Sequence, residues 1–172
     1  MPPTHARLLP VTPRACRHTH TLTGGNLAAA VANGCAADGI KLAGQLLIYP
    51  VVDLASESRS YSEFATGFGL TRDSMRFLVS AYVPNAADRL DPRASPLRNP
   101  SLKGVAPAFV LLAGCDVLRD EGRAYAERLK AAGVDTTLIE VRGAIHAFFT
   151  LGGLREARVS TEAAASWLAA HR

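Results

Sequence analysis

Gly114-Cys115-Asp116-Val117-Leu118-Arg119-Asp120-Glu121-Gly122 follows the apolar run Ala108-Phe109-Val110-Leu111-Leu112-Ala113. Gly143-Ala144-Ile145-His146-Ala147-Phe148-Phe149 follows a second strand-like run, Thr136 to Val141. A short run that is apolar on both faces reads as a strand buried within a parallel sheet. Residues just after such strands emerge at their carboxyl ends, where open α/β sheets bind ligands. Asp116 and His146 are therefore expected side by side at one sheet edge. A carboxylate beside an imidazole fixes the ring's tautomer through one nitrogen and leaves the other to take a proton from a hydroxyl nucleophile. A plainer reading fits the same residues: Asp116 as a cap on the following helix, and His146 as a hydrogen-bonded loop histidine.

Working outward, Leu118 onward reads as a helix with Tyr125, Leu129 and Ala132 on one face, ended by Gly133. Asp120 and Glu121 fall in its first turn, where negative charge suits the helix dipole. A last helix carries Ala163, Ala164, Trp167 and Leu168. Upstream, Gly24 to Ala32 is small, apolar and helix-forming, made to lie close against a sheet, with Asn33-Gly34 or Asp38-Gly39 as its end. Lys41 to Tyr49, stopped by Pro50, reads as the first strand. Between them, Ser60 to Phe64 forms a short helical turn, and Thr71 caps a helix whose Met75, Leu78, Val79 and Tyr82 recur at helical spacing, a stripe expected to pack as core. Asp91-Pro92-Arg93-Ala94-Ser95-Pro96-Leu97 is turn chemistry. Alternating strands and helices predict an α/β fold with about three parallel strands and flanking helices.

The 172 residues suffice for one domain, and 48% apolar with 20% charged residues is ordinary for a globular chain. Three of the nineteen basic residues, Arg7, Arg14 and Arg17, lie in the first 37 positions, which hold no acid; the remainder is close to neutral. That distribution argues against a nucleic-acid partner despite the net charge of +4. No apolar run has the length of a membrane span. Three cysteines at unrelated spacings argue against a disulfide framework and favour a reducing, cytoplasmic setting. Residues 1–23, rich in proline and arginine, are expected to lack packed structure. Cys16, His18 and His20 lack a second ligand cluster, so no metal site is expected there, and no cofactor elsewhere.

Several motifs in order carry a family likeness. GCDVLRDEG resembles the acid-loop motif of the hormone-sensitive-lipase-like α/β-hydrolases, usually written with proline after the aspartate, and GAIHAFF resembles their histidine loop, usually His-Gly-Phe. GGNLAAAVA is similar to the helix after their nucleophile elbow, LLIYPVVDL to the next strand, YSEFATGFGLT to part of their cap, and DPRASPL to the turn before the acid strand. The likeness runs from Gly24 to about Trp167. It implies the C-terminal part of an α/β-hydrolase domain over 24–172, with part of the cap at about 54–84 and the N-terminal half of the sheet missing. It also implies carboxylic-ester hydrolysis of small-molecule substrates, with Asp116 and His146 as acid and base and no cofactor.

The departures matter as much. The family places its nucleophilic serine in Gly-Asp-Ser-Ala-Gly-Gly-Asn, two residues before the first glycine of the GGN run; Leu22 stands there, with His20 at the elbow's opening glycine. A leucine side chain cannot attack a carbonyl, and Thr21 or Thr23, being β-branched, fits the strained elbow poorly. No His-Gly-Gly-Gly oxyanion segment is present, and losing one donor of such a hole costs about 10²–10³ in rate. An inactive hydrolase portion is the expectation. The alternative is a non-catalytic interaction protein, a homo-oligomer or a partner of a full-length relative, pairing through an edge that the Lys41–Tyr49 strand would leave uncovered.

Overall fold

The computed structural model describes the backbone of residues 19–171 and the side chains from Thr23 onward. Four parallel strands lie in sequence order: β1 (Thr19–Leu22), β2 (Gln45–Pro50), β3 (Ala108–Cys115) and β4 (Thr136–Ile145). Five helices accompany them: α1 (Thr23–Ala37), α2 (Arg59–Glu63), α3 (Arg72–Tyr82), α4 (Arg119–Ala131) and α5 (Arg155–Ala170).

The three expected strands are present and a fourth joins them. β1 falls within residues 1–23, where no packed structure is expected from the sequence, so that expectation is corrected over Thr19–Thr23; the rest of the segment lies outside the described residues. The edge argument changes with it. β2 pairs with β1 on one side and β3 on the other, through His20 with Leu47 and Leu47 with Val110. The strand expected to be uncovered is therefore interior. A four-residue run without apolar alternation carries little strand signal of its own; the pairing comes from the neighbouring strand.

Period-2 alternation divides the core into two layers. Leu47, Val110 and Leu112 face α1 and α4, meeting Ala28, Ala29, Ala32, Tyr125, Ala126 and Leu129. Leu46, Ile48, Phe109 and Leu111 face the other side, with Ala164 and Trp167 of α5. The alanines of α1 and Gly122 of α4 allow close approach: a Cβ at Gly122 would lie 2.6 Å from Leu112 Cδ2. Each fully buried Leu or Ile in these layers contributes about 1.5–3 kcal/mol. A third cluster, including Val51, Leu54, Tyr61, Phe64, Met75, Val117 and Leu118, covers the carboxyl edge of the sheet.

α3 begins as expected, with Thr71 Oγ1 accepting the Ser74 amide. Its stripe does not form uniform core. Met75 is buried and Val79 half-buried, but Leu78 and Tyr82 are exposed and line a shallow apolar groove with Thr23, Val51 and Leu54. Among the described residues no helix is long and apolar enough to cross a membrane, and no group of three or more His, Cys, Asp or Glu side chains is placed to hold a metal. Cys16 and His18, and the side chain of His20, lie outside the described residues.

Candidate active site

β3 and β4 bring the two motifs together. β4 runs four residues beyond its expected end, to Ile145, so His146 follows the strand directly. Near their ends the two strands shift register between Ala113 and Cys115, and Gly143 adopts a φ of 73°. Gly114 makes the approach possible: a Cβ there would lie 3.0 Å from both Arg142 Cα and Val141 O, which are backbone atoms that cannot swing aside.

His146 Nδ1 donates to Asp116 Oδ2 at 2.6 Å, and Asp116 Oδ1 accepts the Leu118 amide at 3.0 Å. The Asp116 side chain is 1% exposed and that of His146 10%. Buried this deeply, the carboxylate requires both partners. One carboxylate oxygen thus engages the loop backbone and the other the imidazole, while the N-cap of α4 is Leu118, which has no side-chain cap. With Nδ1 engaged, Nε2 is the ring nitrogen that remains without a hydrogen bond to Asp116.

The acid loop is laced to the chain that follows β2. Ser60 Oγ donates to Val117 O at 2.5 Å, and Asp120 Oδ2 accepts the Ser60 amide at 3.0 Å. Arg119 pairs with Glu63 and Asp120, donates to Gly114 O, and lies over the Phe64 ring at 4.8 Å. Asp120 thus sits where the helix dipole favours it.

Glu121 also lies in the first turn, but its side chain turns inward. Its side chain is buried, and Oε1 accepts the amides of Val52 at 2.7 Å and Asp53 at 3.2 Å. Burial pushes its carboxyl up to about 8 against the pull of those two amides, and the Asp53 charge adds to the rise. A signal for this is present in the sequence: Glu121, Tyr125 and Leu129 recur at four-residue spacing, which puts Glu121 on the buried face of α4. Asp53 itself is held below the usual carboxylate range, its burial outweighed by Arg98, which pairs with it at 2.8 Å.

Tyr49 is the other residue that pattern reading passes over. It ends the apolar run of β2 with a φ of 36°, rarely tolerated outside glycine. Its ring lies 4.5 Å from the His146 ring and 6.1 Å from Phe148. Its hydroxyl is buried without a partner, and burial, with the Asp116 charge second, pushes it up to about 12. Asn26 completes the frame from α1, donating through Nδ2 to Val51 O at 3.1 Å and Ala94 O at 2.9 Å.

Leu22 is the last residue of β1, paired in backbone register with Pro50, and α1 begins at Thr23. The strand therefore passes directly into a helix beside Pro50. The family motif's glycine after histidine is Ala147, whose φ of 68° and ψ of 3° are left-handed.

A family model described as alpha/beta hydrolase fold matches residues 23–150. The chain belongs to the hormone-sensitive-lipase-like α/β-hydrolase family. It is 38% identical over 135 residues to an ethyl acetate hydrolase of Pseudomonas putida, a match covering 77% of this chain and 42% of that one. With a carboxylic ester hydrolase of Mycobacterium tuberculosis it shares 40% identity over 140 residues, 76% of this chain and 37% of that one. Among solved structures, an ester hydrolase from the metagenome of Lake Arreo, in complex with a bipyridine phosphonate derivative, matches with a TM-score of 0.83 and 44% identity. That match covers 88% of this chain and 49% of the solved one. The chain thus spans less than half the length of each of these relatives.

Proposed function

We propose that this α/β-hydrolase chain carries the acid and base of a serine ester hydrolase, Asp116 and His146, and does not turn over esters by itself because Leu22 occupies the nucleophile position. The observation that carries the reading is the 2.6 Å Asp116–His146 contact at the same sheet edge as the β1–α1 junction. Residues 54–84 act as part of the cap, with the groove along α3 facing the substrate side. In a complete relative, His146 takes the proton from serine as it attacks the ester carbonyl and returns it to the leaving alcohol. Asp116 holds the ring in the required tautomer throughout, and water releases the acid product. Small-molecule esters are the substrate class that the relatives' names support. The free thiols Cys35 and Cys115 fit a cytoplasmic setting.

The test is hydrolysis of short acyl esters by the chain as given. No rate above that of buffer is expected. Turnover that disappears in His146→Ala would overturn the reading and point to a threonine, or to a nucleophile supplied by a partner.

A second reading, pairing with another chain, draws on β1, whose outer edge no described strand covers. Light scattering that returns a monomer at micromolar concentration removes self-pairing.

A further inference from the structure

Glu121 is anchored in the first turn of α4, only five residues after Asp116, yet its side chain reaches away from the acid loop to the segment leaving β2. Oε1 takes both the Val52 and Asp53 amides. Oε2 makes no well-formed hydrogen bond, although the Tyr61 hydroxyl lies beside it. On the other side of that segment, Asn26 of α1 takes the Val51 carbonyl. Three consecutive residues, Val51 to Asp53, are thus clamped through their backbone by two buried side chains from different helices.

What the clamp restrains is next to it in the chain. Tyr49, one proline away from Val51, holds a left-handed φ of 36° while its ring lies against His146 and its hydroxyl sits in the field of Asp116. A left-handed aromatic residue is strained and persists only where its surroundings impose it. Released, the segment would relax toward extended backbone, and the Tyr49 ring would leave the face of the imidazole.

We propose that Glu121 is a positioning residue, which holds the strained Tyr49 against His146 by fixing the Val52 and Asp53 amides and so keeps the imidazole in line with Asp116. This rests on the acid–base reading of Asp116 and His146. The role is geometric, so a neutral acceptor of the same shape serves equally well. It differs from bulk stabilisation, whose loss would lower the unfolding midpoint and leave His146 in the folded state as it was.

The experiment uses the full chain uniformly labelled with nitrogen-15, following the low-field Nδ1–H resonance of His146, identified by its loss in His146→Gln. Wild type and Glu121→Gln should both show the resonance. Glu121→Ala should lose it to exchange while the rest of the spectrum stays dispersed, and Val52 and Asp53 should exchange their amides about tenfold faster or more. Should Glu121→Ala fail to fold, Glu121→Asp takes its place, since it keeps the carboxyl group but withdraws the acceptor by one methylene. A folded Glu121→Ala or Glu121→Asp with the resonance unchanged overturns the proposal, as does its loss in Glu121→Gln. Asp116→Asn separates the two layers of the argument. A resonance that ignores Asp116→Asn overturns the acid–base pair and the positioning role with it, whereas one that responds to Asp116→Asn but not to Glu121→Ala overturns the positioning role alone.

Discussion

At one end of the sheet's carboxyl edge, Asp116 and His146 are held by a backbone amide, the Tyr49 ring, the Ser60 and Arg119 contacts to the acid loop, and a strand contact so close that a Cβ at position 114 would crowd the β4 backbone. At the other end, where β1 passes into α1, the strand-to-helix path is held by register with β2 and by Asn26, and the reactive group depends on a single side chain. Chemistry at the first end is distributed over many contacts that also stabilise the fold. At the second end, on the proposed reading, it rests on the single position 22. On the proposed reading, loss of the nucleophile leaves the Asp116–His146 pair ordered.

The largest effect should come from restoring what the second end lacks. Leu22→Ser should be labelled by an aryl phosphonate ester, followed by intact mass, where the wild-type chain is not. Adding His146→Ala should slow that labelling by about 10²–10⁴, the usual contribution of a general base. Labelling of Leu22→Ser that is indifferent to His146 would mean that the two ends are not aligned, and the comparison would fail.

A smaller effect concerns the first end alone. Glu121 has a folded-state pKa of about 8, raised from its ordinary value. The fold therefore favours its protonated form, and the associated stability is full below the ordinary carboxylate range and is lost as pH rises through about 8. Asp53 and Tyr61 face it; Asp53, being lowered, contributes with the opposite sign and at lower pH. Between pH 5 and 8 the wild type should lose up to about 1.4 kcal/mol per pH unit relative to Glu121→Gln in urea unfolding. Parallel pH profiles for the two proteins would contradict this.

Legibility followed the same division. The helices and the three longer strands could be read because apolar period and end signals agree: Gly133 and Thr71 terminate and cap as expected, and Tyr125 and Leu129 are fully buried. Asp116 and His146 could be read because strand ends point to a shared edge. β1 could not, since Thr19–Leu22 is specified by a neighbour some 27 residues away rather than by its own pattern. Tyr49 looked like ordinary strand because a left-handed φ imposed by tertiary contacts leaves no trace in composition. Glu121 was placed correctly in the first turn, but its burial followed from the four-residue spacing to Tyr125 and Leu129 rather than from the dipole. On α3, periodicity located an apolar face without distinguishing core from groove.

The smallest effect lies in the histidine loop. Ala147 occupies a left-handed conformation, and a non-glycine residue there costs on the order of 1–2 kcal/mol, partly returned because alanine loses less backbone entropy on folding than glycine. Ala147→Gly should therefore stabilise the chain, by about 0.5–1 kcal/mol, in a denaturant titration. The Thr150 amide and hydroxyl both bond to Ala147 O, contacts that glycine also makes, so the turn itself should be kept. If Ala147→Gly were instead destabilising, the loop would be drawing its order from the alanine methyl rather than from the backbone. The first end would then owe part of its definition to a single side chain, as the second does.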